Sequence, residues 1–487
     1  MKRLTSRSRL LRIFAAAIFF VAAVFSFVSG CRLAELLMHL QFGGALVSLV
    51  TAFSCIGLAV VGVTVILTYF FGRFYCSVFC PFGILQDLIG FVFRCKRSLY
   101  RNLRKTRYVV AFLCVGLLLG GSSLGFVVLG PYSNFGSIVT AVVLWVREGF
   151  SGASVAFWVD ALLPLLVIVA LVIWKRRVFC TTLCPVGTVL GLFAKHGVYR
   201  MSISDACVDC GLCQSVCPVG CIDSASRSVD NERCVRCMNC TAVCCFGAVA
   251  LGRGSRLVAA TVTSADDSAS VDVSRRAFCV DGAVAVAALA LGASGGYALS
   301  RLAGGVQAAS GALSPVADGG AAAASGTCLM MPPGGGVWSR FSAKCISCQL
   351  CVAVCPSGII VPGNTVDGGV RIDLSHGYCR YDCNRCNEVC PTDALLPLSL
   401  AEKQKTQIGV ASFSAEHCRT VQDEQECGLC VKACPTGALE LRTFPTGLSI
   451  PRLTASKCIG CGACQDVCPV SPKAMTVGCV DKQSRLG

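Results

Sequence analysis

Cys207, Cys210, Cys213 and Cys217 are followed by Pro218, and Cys234, Cys237, Cys240 and Cys244 repeat the C-x2-C-x2-C-x3-C spacing with Cys245 in place of the proline. Three thiolates at every third residue wrap one iron–sulfur cubane, while the fourth, three residues on, reaches the neighbouring cluster. By that rule one [4Fe-4S] cluster takes Cys207, Cys210, Cys213 and Cys244, and a second takes Cys234, Cys237, Cys240 and Cys217. A structural zinc ion would want two separated Cys-x2-Cys knuckles instead. Disulfides are sterically poor inside such short loops and are disfavoured in the cytoplasm. The chemistry implied is one-electron transfer.

Four more groups lie further on. Cys345, Cys348, Cys351 and Cys355 keep the regular spacing, as do Cys458, Cys461, Cys464 and Cys468. Cys379, Cys383, Cys386 and Cys390 widen the first gap to three residues, and Cys418, Cys427, Cys430 and Cys434 widen it to eight. Proline follows each fourth cysteine. The fourth ligands could pair consecutive motifs or nest, first with fourth and second with third; spacing leaves both open. Six motifs imply about six [4Fe-4S] clusters, hence about 24 iron per chain. The paired motifs at 207–244 resemble those of bacterial two-cluster ferredoxins.

A different device occurs twice at an offset of 104 residues. Arg73-Phe-Tyr-Cys76-Ser-Val-Phe-Cys80-Pro81-Phe-Gly83 is echoed by Arg177-Val-Phe-Cys180-Thr-Thr-Leu-Cys184-Pro185-Val-Gly187. Cysteine packs well as a small hydrophobe, yet repetition of so odd a motif favours a redox pair or ligands to a metal centre. Cys76, Cys80, Cys180 and Cys184 are therefore candidate redox or relay residues. Cys31, Cys55, Cys95, Cys114, Cys221, Cys245, Cys279, Cys328 and Cys479 read as structural or incidental.

The elements that must position these groups are apolar. Hydrophobic residues make up 54% of 487 residues, charged residues 14%, and mean hydropathy is +0.67. Such a chain is neither a soluble cytosolic enzyme nor a disordered tail protein. Four stretches, Ile13–Ser29, Ala45–Phe71, Tyr108–Leu129 and Val155–Trp174, are read as helices crossing about 30 Å of hydrocarbon. The first could also be a cleaved signal peptide, but without a clear A-x-A site it reads as a retained anchor. Phe135–Val146 is too short to span and is assigned to an interfacial or re-entrant helix outside. Most of the net charge of +16 falls before residue 304, beside the apolar runs: Arg9 and Arg12, Arg94 to Arg107, Lys175 to Arg177. Basic clusters abutting spans mark cytoplasmic loops rather than nucleic-acid binding.

The expected fold is an α-helical membrane domain (four spans plus a fifth, twin-arginine-type helix) with α+β bacterial-ferredoxin-like 4Fe-4S domains. Residues 1–200 form the membrane domain and 201–255 a cytoplasmic two-cluster unit. Residues 256–303 hold a linker, Ser274-Arg275-Arg276-Ala277-Phe278 and the apolar run Val280–Leu299. Residues 304–340, rich in Ala, Gly and Ser, read as a flexible tether, and 341–487 as a four-cluster domain. A twin-arginine motif before an apolar helix is an export signature, and a domain loaded with clusters must be exported folded. Val306-Gln307-Ala308 is a weak processing site.

Other cofactors are not expected. Ser151-Gly152-Ala153-Ser154 looks like a covalent flavin attachment sequence but lacks a surrounding flavin domain. His39 and His196 lie near opposite membrane faces, not paired for haem b, and no C-x-x-C-H occurs for c-type haem. Residues 1–255 resemble the NapH family of membrane quinol dehydrogenase components, and residues 274–487 resemble the NapG/MauM ferredoxin family. The absent proline after Cys244 and the wide gap after Cys418 depart from the pattern without removing a ligand. The resemblance implies a fusion of the two in the bacterial inner membrane, with its C-terminal domain in the periplasm. Quinol is the implied electron donor. The implied partners are membrane lipid, the quinone pool, and a periplasmic reductase or c-type cytochrome subunit, with no nucleic acid. The alternative is an electron-donating maturation or reactivation factor for a periplasmic metalloenzyme.

Overall fold

The computed structural model describes residues 2–29, 40–93, 103–148, 155–253, 284–298, 329–363, 369–423, 425–443 and 449–486. Arg275 and Arg276, His39, Cys31, Cys95, Cys279, Cys328, Ser151–Ser154, Val306–Ala308 and most of the expected tether lie outside them.

Helix α1 (Lys2–Ser29) contains Arg9–Val28, the one stretch among the described residues that is helical, long and apolar enough to cross a membrane. Two of the other expected spans are broken, while Val155–Trp174 lies within one helix, Val155–Lys175, that carries Pro164. Ala45–Phe71 is two helices, α2 (Phe42–Ala52) and α3 (Cys55–Phe71). Phe53 between them takes a left-handed conformation (φ 49°) and the Ser54 hydroxyl accepts the Gly57 N–H as an N-cap. Gly57 lets the two helices close up, since a Cβ there would stand 2.8 Å from the Ala45 carbonyl oxygen.

Pro81 and Pro185 open α4 (Pro81–Val92) and α8 (Pro185–Lys195) at the first helical position, where a missing N–H costs nothing. The stretch Tyr108–Leu129 is likewise interrupted: α5 (Arg104–Leu119) stops at Gly120–Ser123, and a short helix, Leu124–Leu129, resumes. The segment expected at the interface, Phe135–Val146, belongs to a longer helix, α6 (Pro131–Glu148). It packs on α1, α4 and α7 (Val155–Lys175), with Phe135 fully buried. Its polar N-terminal turn hid that length, because Ser133 and Asn134 break the apolar run yet are buried.

Helix α9 (Val284–Ala298) docks on α5 through reciprocal glycines. A Cβ on Gly116 would lie 2.4 Å from the Leu289 carbonyl, and one on Gly292 would lie 2.6 Å from the Leu113 carbonyl. Gly120 and Gly296 repeat the contact one turn on. Two small-x3-small stripes thus bring the backbones into van der Waals contact.

The inner cysteine-rich unit pairs β1 (Tyr199–Ile203) with β4 (Val249–Arg253), and β2 (Ile222–Asp223) with β3 (Ser228–Val229), all antiparallel. The outer unit pairs β5 (Ile360–Pro362) with β6 (Val370–Ile372) and β8 (Leu439–Thr443) with β9 (Ser449–Leu453). A longer ladder joins β7 (Thr406–Phe413) to β10 (Met475–Arg485). The inner unit meets the bundle where Arg107 and Tyr108 donate to the Glu232 carboxylate. The outer unit meets it elsewhere: Ser123 Oγ donates to the Ser342 and Cys345 carbonyls, and Ser48 Oγ donates to Asp393. Helix α1 touches both, the inner unit at Asn239–Val243 and the outer at Leu350–Val354.

Gly292→Ile should displace α9 from α5 and destabilise the protein by about 1–3 kcal/mol, the usual cost of overpacking. Gly295→Ile is the control, because the nearest atom to its Cβ position is 4.0 Å away. Thermal unfolding of the two variants in detergent measures the difference; equal midpoints would remove the glycine contact.

Candidate iron–sulfur sites

The cysteine loops share one backbone device. In four motifs the residues on either side of the second cysteine take positive φ: Asp209 and Gly211, Arg236 and Met238, Ser347 and Gln349, Gly460 and Gly462. Non-glycine residues in that region cost about 1–3 kcal/mol each and persist where a site over-determines them. The turns aim successive N–H groups into the concavity, as anion-binding nests do. The motif from Cys379, with its widened first gap, lacks this pair, and that from Cys427 keeps only Gly428 (φ 128°).

The thiols converge in groups of four. Cys217, Cys234, Cys237 and Cys240 line one cavity of about 410 Å³ with Val219, Ile222 and Val249. Cys355, Cys379, Cys383 and Cys386 line a second, Cys434, Cys458, Cys461 and Cys464 a third, and Cys418, Cys427, Cys430 and Cys468 a fourth, of 310–390 Å³. Cys345, Cys348 and Cys351 all lie within electrostatic reach of Cys390. Cys213 stands in the same relation to Cys207 and Cys244, while Cys210 is on the exposed side of that loop. The fourth cysteines therefore cross between consecutive motifs, first with second and third with fourth, and do not nest. The Cys379 N–H donates to the Cys461 carbonyl at 2.8 Å, which sets the second and third of these outer groups side by side.

These surroundings fit cubanes. The cavities are walled by thiols and aliphatic side chains, and among the described residues no three Cys, His, Asp or Glu are grouped tightly enough for a single metal ion. Burial pushes Cys345 and Cys464 up to about 12 and Cys430 and Cys461 up to about 11. Those thiols ionise only with a positive charge at hand, which a coordinated metal supplies.

One cavity holds a fifth thiol. Cys221, which the sequence leaves as incidental, is buried with its Sγ 3.6 Å from the Cys217 Sγ. Its hydrogen bonds pull both Cys217 and Cys234 down, while Cys221 itself is held protonated. It lies four residues after Cys217, beyond the motif's end, so only the fold of the Pro218–Gly220 turn brings it in. Cys479, also read as incidental, is disulfide-bonded.

The two C-x3-C-P motifs meet each other. Cys76, Cys80, Cys180 and Cys184 are buried free thiols, and all six pairs among them are within electrostatic reach. The preceding arginines cross over: Arg73 donates to the Cys180 carbonyl (2.9 Å) and Arg177 to the Cys76 carbonyl (3.1 Å). The glycine of each motif is dictated by the same packing. A Cβ on Gly83 would lie 2.4 Å from the Cys76 carbonyl oxygen, and one on Gly187 2.4 Å from that of Cys180.

Comparison with known proteins gives matching descriptions. A family described as a 4Fe-4S dicluster domain matches residues 344–394 and 425–471. Two families described as 4Fe-4S binding domains match residues 53–100 with 155–203, and residues 204–220 with 231–247. The methylamine utilization ferredoxin-type protein MauM of Methylophilus methylotrophus is 32% identical over 158 residues, covering 30% of this chain and 69% of that protein. The ferredoxin-type protein NapF of Escherichia coli K12 is 29% identical over 140 residues, 29% of this chain and 80% of NapF. The ferredoxin-type protein MauN of Paracoccus denitrificans is 30% identical over 149 residues, 30% of this chain and 48% of MauN. No solved structure matches the chain. The chain thus carries ferredoxin-type 4Fe-4S domains that bind several clusters.

Hydrogen bonds to ligand sulfurs set cluster potentials, and a donor favours the reduced, more negative state. Cys221→Ala should therefore lower the midpoint potential of one inner cluster, and Cys221→Ser should restore part of it, with iron content unchanged in both. Redox titration followed by EPR reads this; identical potentials in all three proteins would make Cys221 a packing residue.

Proposed function

The chain belongs to the ferredoxin-type 4Fe-4S family that includes MauM, and on that premise we propose that it is a membrane-anchored conduit passing electrons from the quinol pool to a periplasmic reductase. It is an iron–sulfur electron carrier by its domains. The observation that carries the rest is the separation of its two ferredoxin units along α1. Its contacts with the two units, at Arg12 and Phe27, lie 15 residues apart, about 22 Å at 1.5 Å per residue, most of the way across about 30 Å of hydrocarbon. Near its start Arg12 donates to the Ser77 carbonyl and lies within reach of Cys237 of the inner unit. Near its end Phe27 packs beside Gly136, on which the Cys348 carbonyl of the outer unit rests.

Four further features support the reading. The helices between the units leave Leu58, Val63, Phe91 and Leu166 exposed, an outer surface suited to lipid. Although several of α2 to α8 are short or broken, they share one hydrophobic core with α1 that includes Phe27, Phe42, Phe82, Cys114, Ile168 and Leu190. Arg12, Arg107, Arg176 and Arg177 all gather at the inner unit's end, as expected of a cytoplasmic face. The disulfide at Cys479 suits an oxidising compartment for the outer unit. Six quartets of cysteines would hold the clusters, each taking and giving one electron. The terminal partner is a periplasmic reductase or c-type cytochrome subunit, the acceptor class such a unit serves.

Anaerobically purified full-length protein in lipid vesicles should have its clusters reduced by a short-chain quinol, seen as new EPR signals; clusters that stay oxidised would break the quinol link. Protease added to spheroplasts should cut between residues 303 and 336 and spare residues 202–253. Protection of both would put the outer unit in the cytoplasm.

A further inference from the structure

We infer that Cys76, Cys80, Cys180 and Cys184 together hold one further iron–sulfur centre, shared between the two repeats, that passes electrons between the inner and outer ferredoxin units. The inference rests on the proposed placement of those units on opposite sides of a bilayer, but not on quinol as the donor. Each repeat matches a 4Fe-4S binding domain, and its C-x3-C-P motif brings only two cysteines, so neither motif completes a four-thiolate set alone. The fold pools them.

The hydrogen bonding separates ligands from packing hydrophobes. Three of the four sulfurs accept an N–H donor: Cys76 from Arg73 Nη2 (3.9 Å), Cys180 from Gln86 Nε2 (3.1 Å) and Cys184 from the Gly187 amide (3.3 Å). Cysteines merely filling space gain nothing from three converging donors, whereas thiolates do. Charge points the same way. Arg177 is answered by both oxygens of Asp87, but Arg73, fully buried, makes no carboxylate pair among the described residues. Four thiolates around an iron–sulfur core carry the negative charge that an unanswered buried guanidinium requires.

The surroundings reach both units. On one side the Arg177 guanidinium, bonded to the Cys76 carbonyl, is also within electrostatic reach of Cys237 and Cys180. On the other, Tyr75 adjoins Cys76 and is held by the Phe42 amide and the Gln41 side chain. Tyr132 lies within reach of both Tyr75 and Cys348; Phe27 packs against its ring, and Phe135 packs on Phe27 in turn. The order is thus inner unit, shared quartet, Tyr75 and Tyr132, then the quartet of Cys345, Cys348, Cys351 and Cys390. Each transfer moves one electron, oxidising the donor and reducing the acceptor by one, with no bond made or broken.

The test uses the full-length holoprotein in sealed vesicles oriented with the inner unit outward, and dithionite as an impermeant reductant. Wild type should contain about 28 iron, four more than six clusters supply. Cys76→Ser, Cys180→Ser and the double variant should each lose the same four, since one centre is removed in every case. In wild type the outer clusters should be reduced from the inner side; in the variants the inner clusters should still be reduced and the outer should not. Tyr132→Leu should keep its iron and slow reduction of the outer clusters. Iron near 24 in wild type, losses that add in the double variant, or outer clusters reduced without the quartet would each overturn the inference. Because no quinol is used, failure of quinol oxidation leaves this result standing.

Discussion

Three arginine side chains, Arg73, Arg107 and Arg177, are the bulkiest fully buried groups among the described residues, and the architecture around them is arranged to satisfy them. A guanidinium removed from water must find charge or carbonyl oxygens around it, and breaking one such buried pair costs about 3–5 kcal/mol. Arg177 finds Asp87 and the Cys76 carbonyl; Arg73 finds the carbonyls of Cys180 and Glu232; Arg107 finds the Glu232 carboxylate. Those partners come from both repeats and from the inner ferredoxin unit. The arginines therefore fix three bodies against one another at a single seam, beside two quartets of thiols.

The same seam explains how clusters and fold depend on each other. Glu232 sits two residues before Cys234, and Arg236, between Cys234 and Cys237, donates to the Tyr199 carbonyl at the start of β1. The loop that presents thiols to a cluster is also the loop that docks the unit on the bundle. Consecutive crossing of fourth cysteines has a similar effect outside. Each pair of quartets is a single folding unit, and the Cys379–Cys461 backbone bond places two such units end to end.

The cysteine motifs were the most legible part of the chain, because ligand spacing is local and the chemistry tolerates little variation. The swapped pairing within 207–244 follows from it. What spacing could not carry was anything decided at long range. Consecutive rather than nested pairing depends on how β7 and β10 fold across the outer unit. The role of Cys221 depends on one turn. Hydropathy ran α2 into α3 because Phe53 and Ser54 are compatible with an apolar run, although the first adopts a left-handed conformation and the second caps a helix. It also truncated α6, whose buried Ser133 and Asn134 look like a surface turn. The glycines at 116, 120, 292 and 296 were visible but uninterpretable until both helices were known to touch.

The crossing of Arg73 and Arg177 has one more consequence. Contact of residue i on j and of j on i is the form two identical chains make about a two-fold axis. Here it is made within one chain, with the four thiols astride the axis. Half of such a bundle would have the surface to pair with a copy of itself, and fusion would then release each half from remaining identical. The two arginines are not equivalent: Asp87 answers Arg177, while Arg73 turns to Glu232 and the inner unit. The crossed repeats therefore present a front and a back rather than two equivalent faces.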